Sequence, residues 1–208
     1  MARLKSLFGN FNGKLGGLVG YTLNGEDIVR TLGESTKPPT VKQLVVRKKI
    51  KVVTHMMSIV LKYINSGFSF AVKGTNKKPF NEAVSCNFKN ATTGVYPEIT
   101  LDYSKILVSK GSLAPALNPL IVRWPDGLEF KWEMQAPGPI YIDNDRAMLL
   151  IYFPVQQECL CVLTGAERKE CRQFVALEPD YLEREMQAYI AFIANDRTGV
   201  SDSVWVAV

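Results

Sequence analysis

The chain has 208 residues, 47% of them apolar and 22% charged, which excludes a disordered tail and supplies a core for one large domain or two small ones. Its net charge of +5 hides a polarity: residues 1–113 hold 17 Lys and Arg against 6 Asp and Glu, whereas residues 114–208 hold 8 against 14. A basic half of this kind suits phosphate or an acidic surface, including the acidic half of another copy of the same chain.

Arg3 and Lys5 are followed by Gly9, Asn10, Asn12, Gly13 and Lys14, which break the apolar run that a cleaved signal peptide requires. No stretch approaches the roughly 20 apolar residues of a membrane-spanning helix. The expectation is a chain made in the cytoplasm without a Sec signal, for which association with a particle or release from the cell is left open.

Residues 1–36 read as a glycine-rich hairpin. Asn24-Gly25 lies between the apolar runs Leu18–Leu23 and Ile28–Leu32, the strongest short-range signal for a two-residue hairpin. The glycines at 13, 16, 17 and 20 do not spell a phosphate-binding loop, and the segment leads into a strand rather than a helix. They do allow close backbone approach, so the strand suits coverage by a neighbouring chain. Leu18, Val19, Tyr21, Ile28, Val29 and Arg30 are the candidate docking residues.

Pro38-Pro39 stiffens the approach to Thr40-Val41-Lys42-Gln43, a T-x-x-Q capping box that starts a helix over residues 40–66. Apolar residues at 41, 44, 45, 52, 53, 56, 59, 60 and 63 follow the helical period, and Arg47, Lys48, Lys49 and Lys51 make the remainder basic. Those four are the candidate electrostatic partners of an acidic surface or of nucleic acid. Pro79 opens a shorter helix to about Ala91, with Phe80, Ala83, Val84 and Phe88 on one stripe. From Ile99 the period changes to two, giving one strand or two through Val108.

Residues 114–208 carry strand signals near 120–124, 128–133, 146–153, 158–164, 172–177, 186–193 and 202–207. Short strands at this spacing predict an antiparallel sandwich. The fold class is therefore mostly β with one long and one short helix, divided into a hairpin arm (1–36), a helical and strand region (37–113) and an immunoglobulin-like sandwich (114–208).

Little catalytic equipment is visible. His55 is the only histidine, and nothing in the sequence supplies it with an acidic orienter or a nucleophile. Cys86, Cys159, Cys161 and Cys171 lack the C-x-x-C spacing of zinc sites; Cys159 and Cys161, two apart, share a face if they lie on a strand. Asp126, Asp143 and Asp145 lack the rest of a calcium loop. No cofactor and no metal site is expected, and the chain reads as a non-enzyme.

The segments Gly17-Leu18-Val19-Gly20-Tyr21, Ile28-Val29-Arg30, Lys37-Pro38-Pro39-Thr40, Asn87-Phe88-Lys89-Asn90-Ala91, Tyr96-Pro97 and Asp102-Tyr103-Ser104 resemble an uncharacterised Bacteroidetes family of proteins of about this length. That resemblance spans nearly the whole chain and implies no known activity. The V-G-Y, V-R and P-T-x-x-Q pattern also resembles small proteins encoded near phage-like genes. Phe130-Lys131-Trp132, the strand through Phe153, Tyr189 and Ser201–Val204 are similar to fibronectin type III or immunoglobulin-like modules, in which a strand Trp packs the core.

Taken together, the sequence reads as a structural or assembly protein that forms a homo-oligomer or filament through its N-terminal hairpin and its bipolar charge. Two alternatives stand beside it. One is a nucleic-acid-binding module using the basic helix. The other is a recognition sandwich, with Trp124, Tyr141 and Trp205 as its candidate exposed aromatics.

Overall fold

A computed structural model describes residues 2–3, 12–23, 25–34, 37–134 and 144–208. The chain divides into two compact units, Met1–Thr40 and Val41–Val208.

The first unit is a four-stranded antiparallel sheet in the order β1-β4-β3-β2: β1 (Ala2–Arg3), β2 (Gly13–Leu15), β3 (Leu18–Leu23) and β4 (Glu26–Thr31). Leu23 pairs with Glu26 across the predicted two-residue turn, where Gly25 has φ of +81°, a region that disfavours any side chain. Asn24 lies outside the described residues. A second tight turn joins β2 to β3, with Leu15 opposite Leu18.

The second unit has three layers. In the middle is a four-stranded antiparallel sheet, ordered β10 (Glu158–Val162), β9 (Arg146–Phe153), β12 (Gln187–Ile193) and β13 (Val204–Val206). On one side lie α1 (Val41–Ile59), α2 (Leu61–Gly67) and α3 (Pro79–Asn90), followed by the two-residue strands β5 (Thr92–Thr93) and β6 (Thr100–Leu101). On the other side is a three-stranded sheet, ordered β11 (Arg172–Ala176), β8 (Gly127–Glu133) and β7 (Leu117–Trp124). A short helix, α4 (Pro179–Leu182), lies between β11 and β12 in the chain. The protein is thus mostly β, and the four-stranded and three-stranded sheets of the second unit form a sandwich.

Alternation along β9 and β12 explains the layering, because successive side chains point to opposite faces. Leu149, Ile151, Phe153, Ile190 and Phe192 meet Leu128, Phe130, Trp132 and Val175 of the opposing sheet. Met148, Leu150, Tyr152, Tyr189 and Ile193 meet Val53, Met56, Met57, Val60, Tyr63 and Ile64 of the helices. The helices therefore share a core with the sandwich, and the border expected at 113/114 runs through one packed unit.

Two elements differ from the sequence reading. The helix expected over 40–66 is interrupted at Val60 (φ −91°, ψ 21°); the Tyr63 and Ile64 amides both take the Val60 carbonyl at 3.0 Å. Beyond the break Tyr63 is buried, and its hydroxyl donates to the Met148 carbonyl at 3.0 Å. Between Ile99 and Val108 only Thr100–Leu101 is a strand, and Tyr103–Lys105 is a short 3-10 turn. Ile106 and Val108 are buried as their alternation suggests, but side chains satisfy that backbone in place of a neighbouring strand. Asn87 donates to the Leu107 carbonyl and accepts from its amide, both at 2.8 Å, and the Val108 amide donates to Ser203 Oγ at 2.9 Å. Gly67 lets α2 end against this segment, since a Cβ there would lie 2.5 Å from the Val108 carbonyl oxygen.

Candidate interaction surfaces

The N-terminal sheet shows little burial. Among its described side chains and glycines only Gly20 and Ile28 are buried, while Leu15, Leu18, Leu23 and Leu32 are exposed. The strand pairing sorts the six candidate docking residues onto two faces. Val19 opposes Arg30 and Tyr21 opposes Ile28 on one face; Leu18 and Val29 belong to the other. That second face is flattened where Gly13 pairs with Gly20 beside Val29. Among the described residues β2 covers only Leu18–Gly20 of β3, and β1 covers only Ile28 and Val29 of β4. Among the described residues, no strand pairs with Tyr21–Leu23 on the β2 side of β3 or with Arg30–Thr31 on the β1 side of β4.

On α1, successive residues turn by about 100°. This brings Arg47, Lys48 and Lys51 onto one face together with His55 and carries Lys49 to the opposite side. Arg47, Lys48 and Lys51 are exposed and Lys49 is half-buried. No salt bridge within the described residues uses any of the four. Lys48, Lys51 and His55 line one wall of a cleft of about 390 Å³, whose other lining residues include Tyr103, Tyr152 and Gln157. The first three turns of α1 contain no buried residue: Val41, Val46 and Ile50 are exposed, and burial begins at Val53.

Acidic counterparts stand around α4, where Glu178, Asp180, Glu183 and Glu185 are all exposed. Asp145, weighed as a calcium ligand, is instead fully buried and lies 3.2 Å from Arg168, itself only 2% exposed. Arg168 also donates to the Ala114 carbonyl at 2.8 Å and lies 3.8 Å from the Phe192 ring centre. Asp143 and Tyr141 lie outside the described residues. Among the described residues no group of three or more His, Cys, Asp and Glu is arranged to hold a metal ion, and no helix is long and apolar enough to cross a membrane.

The three tryptophans divide by environment. Trp132 is buried, donates to the Arg168 carbonyl at 2.7 Å and meets Phe192 edge-on. Trp205 is half-buried, and its indole donates to Gln187 at 2.9 Å. Trp124 is 49% exposed and reaches Glu129 at 3.4 Å. Strand pairing places Leu120, Trp124 and Phe174 on the outer face of the three-stranded sheet, all three exposed. The sequence singled out Trp124, but it gave no sign that Phe174 lies on the same face.

Neither the curated proteins nor the solved structures contain a match to this chain. A family of unknown function, DUF6266, matches residues 10–207. The match covers the N-terminal sheet from β2 onward and nearly all of the layered unit, and on that basis the chain belongs to this family.

Proposed function

We propose that the chain is a non-enzymatic assembly subunit whose N-terminal sheet is completed by another copy. The observation that carries this reading is the sheet itself, four strands with two buried residues among those described. A small sheet needs an apolar face covered before it is stable, and an open edge takes a strand from a neighbour through main-chain hydrogen bonds. Val19, Tyr21 and Arg30, around the buried Ile28, form the docking face. The basic stripe Arg47, Lys48 and Lys51 meets the acids around α4 of the adjoining subunit. Contact between two different surfaces is heterologous, so it closes a ring or extends a filament.

The test is the mass of the purified chain by light scattering across low and high salt, beside a variant lacking residues 1–36. The intact chain should assemble and the deletion variant should stay folded and monomeric. Unaltered oligomer size after the deletion would reject the reading.

Two surfaces favour alternatives. The basic stripe, without a salt bridge among the described residues, favours nucleic-acid binding, which would weaken steeply with salt and fall when Arg47, Lys48 and Lys51 are neutralised. The exposed row of Leu120, Trp124 and Phe174 favours ligand recognition by the sandwich, which quenching of Trp124 fluorescence by glycans or peptides would reveal.

A further inference from the structure

Cys159 and Cys161 lie two residues apart on β10, an edge strand of the central sheet, with both side chains packed toward the helices. Their sulfurs are 3.8 Å apart. The break at Val60 places a backbone acceptor beside them. The Tyr63 amide, which an unbroken helix would aim at the Ile59 carbonyl, is directed to Val60, and the Cys159 thiol donates to the Ile59 carbonyl at 3.4 Å.

Such a pair is poorly built to close on itself. Alternate residues on a strand have Cα atoms roughly 6.7 Å apart with parallel Cβ directions, at the limit of disulfide geometry and well beyond the Cβ approach of about 4 Å that the bond needs. It is also too small for zinc, which takes four nitrogen or sulfur ligands in a structural site, and no larger ligand cluster exists among the described residues. Two neighbouring soft thiols suit a soft ion of low coordination number.

We propose that Cys159 and Cys161 form a two-thiolate site for a monovalent thiophilic ion, Cu(I). Binding is a proton exchange without electron transfer: one Cu⁺ enters, two thiol protons leave to water, and a bis-thiolate of net charge −1 remains. The hydrogen bond with Cys159 and burial push the Cys161 thiol up, the charge of Lys62 acts in the opposite direction, and the ion must displace that proton. A groove of about 650 Å³, lined in part by Cys159, Ile59, Glu158 and Tyr181, gives access.

The test uses the full-length, reduced protein under anaerobic conditions, titrated with Cu(I) in competition with a chromophoric Cu(I) chelator. One equivalent should bind. Cys159→Ser and Cys161→Ser should each lose it, with unchanged circular dichroism, whereas the double variant Cys86→Ser, Cys171→Ser should retain it. In the wild-type chain, bound copper should protect Cys159 and Cys161 from alkylation and leave the reactivity of Cys86 and Cys171 unchanged. Copper removed entirely by the chelator, retained by Cys159→Ser, or protecting all four thiols alike would overturn the assignment.

Discussion

The two units of this chain solve the same problem differently. In Val41–Val208 the central sheet is covered on both faces, and β9 and β12 are buried along almost their whole length. In Met1–Thr40 a sheet with the same number of strands buries only Gly20 and Ile28 among the described residues. The difference lies in composition. β9 reads Arg-Ala-Met-Leu-Leu-Ile-Tyr-Phe, apolar at consecutive positions, whereas β2 to β4 mix glycine, threonine and charge with isolated apolar residues. A run that is apolar on both faces calls for two covering layers. A glycine-rich strand buries little with its own side chains and admits another backbone closely.

This comparison can be broken most forcefully in the layered unit. Phe130→Ala empties a site between the sheets and should cost about 3–5 kcal/mol in urea unfolding. Arg168→Leu leaves the buried Asp145 without its guanidinium and should cost a similar ~3–5 kcal/mol. A loss under 1 kcal/mol from both would mean that this core is not tightly packed. Asn87→Ala removes the side chain that pairs both backbone groups of Leu107, and about 2–3 kcal/mol should be lost. In the N-terminal sheet, Tyr21→Ala should change unfolding of the layered unit by less than about 0.5 kcal/mol. Sedimentation of the same variant should show weakened assembly.

The smallest effect is that of pH. Hydrogen bonds from Lys77, Lys131 and Lys169 hold the carboxyls of Glu82, Glu129 and Glu167, respectively, below the ordinary carboxylate range. A group depressed in the folded state contributes fully above its unfolded value and loses that contribution as pH falls through its folded value. Urea midpoints of the layered unit should therefore be flat near neutrality and decline modestly below about pH 4.5. Exposed pairs such as these are screened, so raising the salt should reduce the decline.

Much of this architecture was legible in the sequence. The hairpin at Gly25, the helix from Pro79 and the strands near 120–124, 128–133, 146–153 and 172–177 follow from local pattern, because turn chemistry and periodicity act over a few residues. What escaped were relations between distant residues. The unbroken apolar runs of β9 and β12 already implied coverage on two sides, yet an alternating sandwich reading leaves one side to solvent. Ile106 and Val108 carried the alternation of a strand, but the partners of that segment are Asn87 and Ser203, far away in the chain. Asp145 looked like part of an acidic loop because Arg168 joins it only in the fold. The candidate surfaces were legible as residue types and not as faces: pleating divides the six hairpin residues into two sets, and the helical turn separates Lys49 from Arg47, Lys48 and Lys51.

Amide hydrogen exchange, read along the chain at several protein concentrations, tests whether the N-terminal sheet depends on a second copy for its stability. Amides of residues 18–31 should exchange within seconds in dilute monomer and become protected as the protein assembles, while those of residues 147–153 and 188–193 stay protected throughout. Strong protection of residues 18–31 in a monomer at every concentration would contradict it.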